Sequence, residues 1–100
     1  MTILSLASID LAPKKRGIYF LYSSDKSIQY IGRSENIHNR ILSHLNSIKK
    51  EHVAYFSFKV FTVGAPHEED IAIKAYQKTH NGNLPPLNKI SGFVYSPRKT

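Results

Sequence analysis

A chain of 100 residues, 41% apolar and carrying six tyrosines and five phenylalanines, has the size and core-forming content of one folded domain. That content excludes a disordered chain, and the absence of cysteine excludes a disulfide framework and any thiolate metal site. Fourteen Lys/Arg against seven Asp/Glu give a formal charge of +7, which favours a polyanion such as nucleic acid as partner, since each cation placed on a phosphate releases a counterion.

The first twelve residues mix apolar and polar side chains with no period, and "PKKR" ends them. Their lack of a basic start and the presence of Asp10 argue against a secretory signal. No apolar run approaches the ~20 residues of a membrane span, so a soluble, cytoplasmic protein is expected. "GIYFLYSS" (17–24) is β-branched and aromatic and reads as a strand; Ser23–Ser27 form a polar turn, and "SIQYIG" (27–32) is the returning strand of a hairpin. Ser34 is the expected N-cap of a helix over 35–49, with Glu35 in its first turn and Ile37, Ile41, Leu45 and Ile48 along one stripe.

"VAYFSFKVFTV" (53–63) is a third strand, closed by Gly64. Pro66 suits the first position of a second helix and Glu68, Glu69 and Asp70 its first turn; Ile71, Ala72, Ala75 and Tyr76 are its expected inward residues, and "HNGN" its stop. "LPPLN" reads as extended, and "GFVYSPRKT" as an edge strand or a trailing tail. The order β-β-α-β-α predicts an α+β domain spanning 1–100, with a small antiparallel three-stranded sheet flanked by helices.

The chemistry lies in the spacing of a few residues. "GIY" (17–19) is followed after ten residues by "YIG" (30–32), then by "RSENIHNRILSHL" and, much later, "PPLN". Together these resemble the GIY-YIG nuclease domain found in homing endonucleases, in some restriction enzymes and in the first half of the incising component of the bacterial excinuclease. The likeness runs from about residue 12 to 90. It implies a DNA endonuclease, dependent on Mg2+ or Mn2+, that hydrolyses phosphodiesters.

The resemblance assigns Tyr19 as general base and gives Tyr30 an ordering role. A phenol's ordinary pKa is ~10, so the first job needs a nearby cation, and Arg33 is available for it. Arg40 matches the family's helix arginine, whose planar fork clamps a phosphate. His44, four residues on and on the same helix face, matches a histidine that some members carry there. Asn88 matches the asparagine that closes the family's domain, as a supporting residue. The exposed-type cations Lys14, Lys15, Arg16, Arg33, Lys49 and Lys50 would follow a DNA backbone.

The family's metal-holding glutamate sits on its second core helix, before a pair of apolar residues. "IAIKAY" (71–76) fits that apolar pattern with Ala72 where the glutamate would stand. Three readings follow: Glu69, three residues earlier and nearly on the same face, is the ligand; the natural protein carries Glu at 72; or catalysis has been lost. A methyl group holds no cation, so Glu69 is the ligand that can be named. The alternative to an enzyme is a GIY-YIG-fold module that binds nucleic acid without cutting it. A weaker alternative is a sheet that stacks single-stranded RNA on Tyr55, Phe56 and Phe58. Nothing in the chain resembles a separate DNA-reading domain, so low sequence specificity is expected, or specificity lent by a homodimer partner.

Overall fold

The run "GIYFLY" has no polar face, and a strand with no polar face needs cover on both sides. In the computed structural model, which describes residues 2–46, 52–61 and 67–89, all six residues of this strand are buried. In chain order the elements are β1 (Leu4–Ser5), a 3-10 segment (Leu6–Leu11), β2 (Gly17–Tyr22), β3 (Ile28–Ser34), helix α1 (Ile37–Leu45), β4 (Tyr55–Val60), helix α2 (His67–Lys78) and a 3-10 turn (Pro86–Lys89).

The sheet is antiparallel throughout, in the order β1-β4-β2-β3. Strand alternation sends Tyr19 and Leu21 to one face, where they meet Tyr30, Phe56, Val53 and the α1 residues Ile37 and Ile41. Ile18, Phe20 and Tyr22 go to the other, with Ile31 and the α2 residues Ala72, Ile73 and Tyr76. The α+β class and the antiparallel sheet are as the sequence predicts, but the sheet has four strands. The fourth, Leu4–Ser5, pairs with Phe56 and Tyr55; two residues are too few to display a period, and a pairing some fifty residues distant leaves no local mark.

The hairpin turn closes as expected. Asp25 accepts from the Ser27 N–H and the Ser23 hydroxyl, and Lys26 takes the left-handed conformation with φ 67°. The cap of α1 differs from expectation. Asn36 holds that place and its Oδ1 accepts from the Asn39 N–H at 3.0 Å, whereas Ser34 ends β3 and its hydroxyl bonds to Asn36. Glu35 therefore precedes the helix, where it pairs with Arg16 at 2.9 Å.

On α2 the inward stripe is Glu69, Ala72, Ile73 and Tyr76; Ile71 is 58% exposed and Ala75 is also outside. Ile71/Ala75 and Ala72/Tyr76 have the same four-residue spacing, so apolar content alone does not set the helix's phase. Gly82, with φ 79°, ends this segment as expected, its N–H bonding to the Gln77 carbonyl. "LPPLN" ends in a 3-10 turn, not an extended run. Pro66, the distal parts of the helix over 35–49 and the strand over 53–63, Lys49, Lys50 and "GFVYSPRKT" lie outside the described residues.

Candidate active site

Tyr19 lies on the central strand β2, cross-strand from Gly32. A side chain at 32 would stand 2.5 Å from the Tyr19 Oη and 2.6 Å from its Cζ, so the glycine of the second triplet is what lets this ring lie over β3. The ring reaches toward α1, where the Tyr19 Oη is 2.7 Å from the His44 Nε2. Tyr30 completes the group: its ring centroid is 4.8 Å from His44 and 6.0 Å from Tyr19. Arg40, one turn before His44 on the same helix, approaches Tyr19 closely enough for its charge to act on the phenol. Four of the predicted side chains, from three elements, thus meet at one place.

Burial dominates the electrostatics. Tyr19 is 0% exposed, and desolvation of the phenolate, followed by the neighbouring Tyr30, raises its pKa well above the usual 10.0; the Arg40 guanidinium opposes the shift without overcoming it. Tyr19 is therefore a neutral phenol at physiological pH. The Arg40 Nε is buried with no hydrogen-bond partner among the described residues. A donor left so is costly, and an acceptor arriving at Arg40 would relieve it.

Arg40 opens onto a cleft of about 230 Å³ lined also by Ser34, Glu35, Asn36, Asn39 and Ser43. Asn36, Asn39, Arg40 and Ser43 are spaced 3, 1 and 3 apart, one polar stripe of a helix. Sequence reasoning missed the three neighbours of Arg40, although the same periodicity that marks the apolar stripe marks this one.

Arg33 is not at the site. It pairs across from Ile18, so strand alternation carries it to the opposite face from Tyr19, where it is exposed; the cation beside Tyr19 is Arg40. Lys14, Lys15 and Arg16 form an exposed lead-in to β2, with Arg16 tied to Glu35. Asn88 is buried and bonds β3 twice: its Oδ1 accepts from the Ile31 N–H at 2.9 Å and its Nδ2 donates to the Ile31 carbonyl at 3.0 Å. An RNA-stacking sheet does not fit, because Phe56 is fully buried and packs with Phe58 on the α1 face while Tyr55 packs on the other.

The carboxylate question turns on α2. Glu69 is 6% exposed in the helix's first turn and lies on its inward stripe. Ala72, one turn on, packs against the apolar cluster of Ile18, Phe20, Tyr22 and Ile31. Among the described residues no three His, Asp or Glu gather as a metal cage. Mg2+ commonly keeps several waters and takes one or two carboxylates plus substrate phosphate oxygens, and a single sheltered carboxylate suits that demand.

A four-stranded antiparallel sheet with a tyrosine pair, an arginine and a histidine gathered on one face defines an α+β domain with a buried polar cluster. Residues 15–83 match the family described as the GIY-YIG catalytic domain, and the chain belongs to that family. At the family level it is an endonuclease, with nucleic acid as its substrate. No curated protein matches the sequence. No helix among the described residues is long and apolar enough to cross a membrane.

Proposed function

We propose that this chain is a metal-dependent DNA endonuclease with little sequence preference of its own. The observation that carries the reading is the meeting of Tyr19, Tyr30, Arg40 and His44 beside a polar cleft. Arg40 holds the scissile phosphate and neutralises its developing charge.

A neutral phenol is a weak base and Tyr19 is fully buried, so it orders the site through its bond to His44 and its neighbour Arg40. As water attacks phosphorus from the Arg40 side, its proton passes to solvent. The phosphorus–oxygen bond to the leaving nucleoside breaks, and that oxygen takes a proton from solvent. Glu69 is the residue that would hold Mg2+, and a bound ion would supply Lewis-acid stabilisation of developing negative charge. Position 72 is not the metal position in this reading, since its side chain belongs to the apolar packing under α2.

The test is plasmid and single-strand cleavage with and without Mg2+ for the parent chain, Arg40→Ala, Glu69→Gln and Ala72→Glu. Arg40→Ala should lose on the order of 10²-fold or more in cleavage rate, the scale of removing one oxyanion-stabilising donor. Glu69→Gln should cut at no Mg2+ concentration that serves the parent. Ala72→Glu should gain no activity and should melt at a lower temperature. Equal cutting by Arg40→Ala and the parent would remove the mechanism, and salt-sensitive binding without cutting by the parent would make the chain a binding module.

A further inference from the structure

A second, larger cleft adjoins the one at Arg40. Its volume is about 380 Å³ and its lining is Lys15, Arg16, Glu35, Val60 and Phe61. Glu35 lines both clefts, so the two share a wall. The sheet's register creates the space: Gly17 opens β2 opposite Ser34 and Val60, where β3 and β4 both end. The chain entering β2 and the residues leaving β3 and β4 therefore meet at this end. The Phe61 N–H donates to the Arg16 carbonyl at 3.0 Å and fixes the aromatic residue beside the cationic pair. The Lys59 ammonium stands 5.5 Å from the Phe61 ring centroid.

The contents match one ligand chemistry well. Phe61 is half-buried against the apolar cluster on the α2 face and its remaining surface walls the cleft, with Lys15, Arg16 and Lys59 supplying positive charge around it. Arg16 is engaged with Glu35 through its Nε, which leaves its two Nη groups for a phosphate. Glu35, with its charge answered by Arg16, is an acceptor at the boundary, suited to a base's amino group and not to a phosphate. A base inside a duplex is stacked on both sides and cannot lie on a protein ring, whereas an unpaired base can.

We propose that this cleft seats one unpaired nucleotide adjacent to the scissile phosphate, its base on Phe61 and its phosphate at Lys15 and Arg16. The substrate class is then DNA with a single-stranded stretch at the cut, not intact duplex. The placement next to the cut rests on the nuclease reading above; the nucleotide seat itself is tested without cleavage.

Binding of a fluorescein-labelled single-stranded oligonucleotide and of the blunt duplex of the same sequence is measured by anisotropy, on the full chain, at fixed salt and without divalent metal. Phe61→Leu keeps an apolar side chain in the packing and removes the stacking surface. It should weaken single-strand binding about tenfold while duplex binding changes by less than about twofold, the loss expected for one base–aromatic contact. No loss for the single strand, or an equal loss for both, overturns the proposal. An NMR titration of the unaltered chain with the same oligonucleotide should move the Phe61 ring resonances upfield, and an unmoved Phe61 overturns it even if the variant fails to fold. Because neither measurement reads cutting, a chain that binds as stated but never cleaves would sink the nuclease reading and leave the seat in place.

Discussion

Two buried tyrosines on β2 show how neighbouring residues take different roles. The Tyr22 hydroxyl is bonded to the Ser57 Oγ at 2.8 Å on the α2 face, which ties β2 to β4. Tyr19, on the α1 face, is bonded to His44 and flanked by Arg40 and Tyr30, and its pKa is raised chiefly by burial. The sign follows from that shift. The unfolded phenol ionises near 10 and the folded one only higher, so the stability linked to Tyr19 is intact below about pH 10 and is lost as pH climbs toward the folded value. Thermal unfolding of the parent should therefore fall more steeply above about pH 10 than that of Tyr19→Phe, which has no phenol to ionise there. Parallel curves would mean that this hydroxyl ionises as freely folded as unfolded. At neutral pH the same variant removes the hydrogen bond to His44 and should lose about 0.5–1.5 kcal/mol. The sequence made Tyr19, Tyr30, Arg40 and His44 legible because triplet spacing and helical offsets are local. Burial is not local, so the direction of the Tyr19 shift was not legible. Arg33 was readable and misread: it follows Gly32 by one residue, and one step along a strand changes the face.

At the scale of elements, β3 is one of the two edges of the sheet among the described residues, and an edge strand leaves one row of backbone groups without a ladder. The turn Pro86–Lys89 covers part of that edge, where the Asn88 amide imitates a short piece of strand and satisfies both the N–H and the carbonyl of Ile31. Ile31 lies one residue after Tyr30, so this bond also fixes the strand that presents the second tyrosine. Asn88→Ala strands two buried backbone groups, and chemical denaturation should show a loss of about 2 kcal/mol or more. A loss within about 0.5 kcal/mol, as for an ordinary surface substitution, would mean that water takes over the amide's place. The motif "PPLN" marked Asn88 but not its partner, because a bond spanning fifty-seven residues is set by the fold. The same limit explains β1. The cap of α1 was legible in kind but not in position: Ser34 and Asn36 both suit an N-cap, and β3's extra residues leave only Asn36 free for it.

Across the whole molecule, both clefts and the cations beside them crowd one end of the sheet. The lead-in Lys14, Lys15 and Arg16 precedes β2, Ser34 and Glu35 end β3, and Val60 and Phe61 end β4; both clefts lie there. The hairpin turn carrying Lys26 lies at the far end of β2, six residues away and so roughly 20 Å distant at the usual strand rise. That exceeds the Debye length of about 8 Å at physiological ionic strength, so Lys26 contributes little to a polyanion held at the clefts. Net charge alone would treat all fourteen basic residues alike. Placement separates them, and salt dependence measures the difference. The slope of log binding constant against log salt, taken with a blunt duplex and no metal, should become shallower by about one for Lys14→Gln, the value of one phosphate contact, and by close to none for Lys26→Gln. If both variants flatten the slope equally, the nucleic acid wraps the whole basic surface and is not gripped at one end. Lys26 also stands 5.2 Å from the centroid of the Tyr55 ring, so its control is read alongside a melting curve that separates lost packing from lost charge.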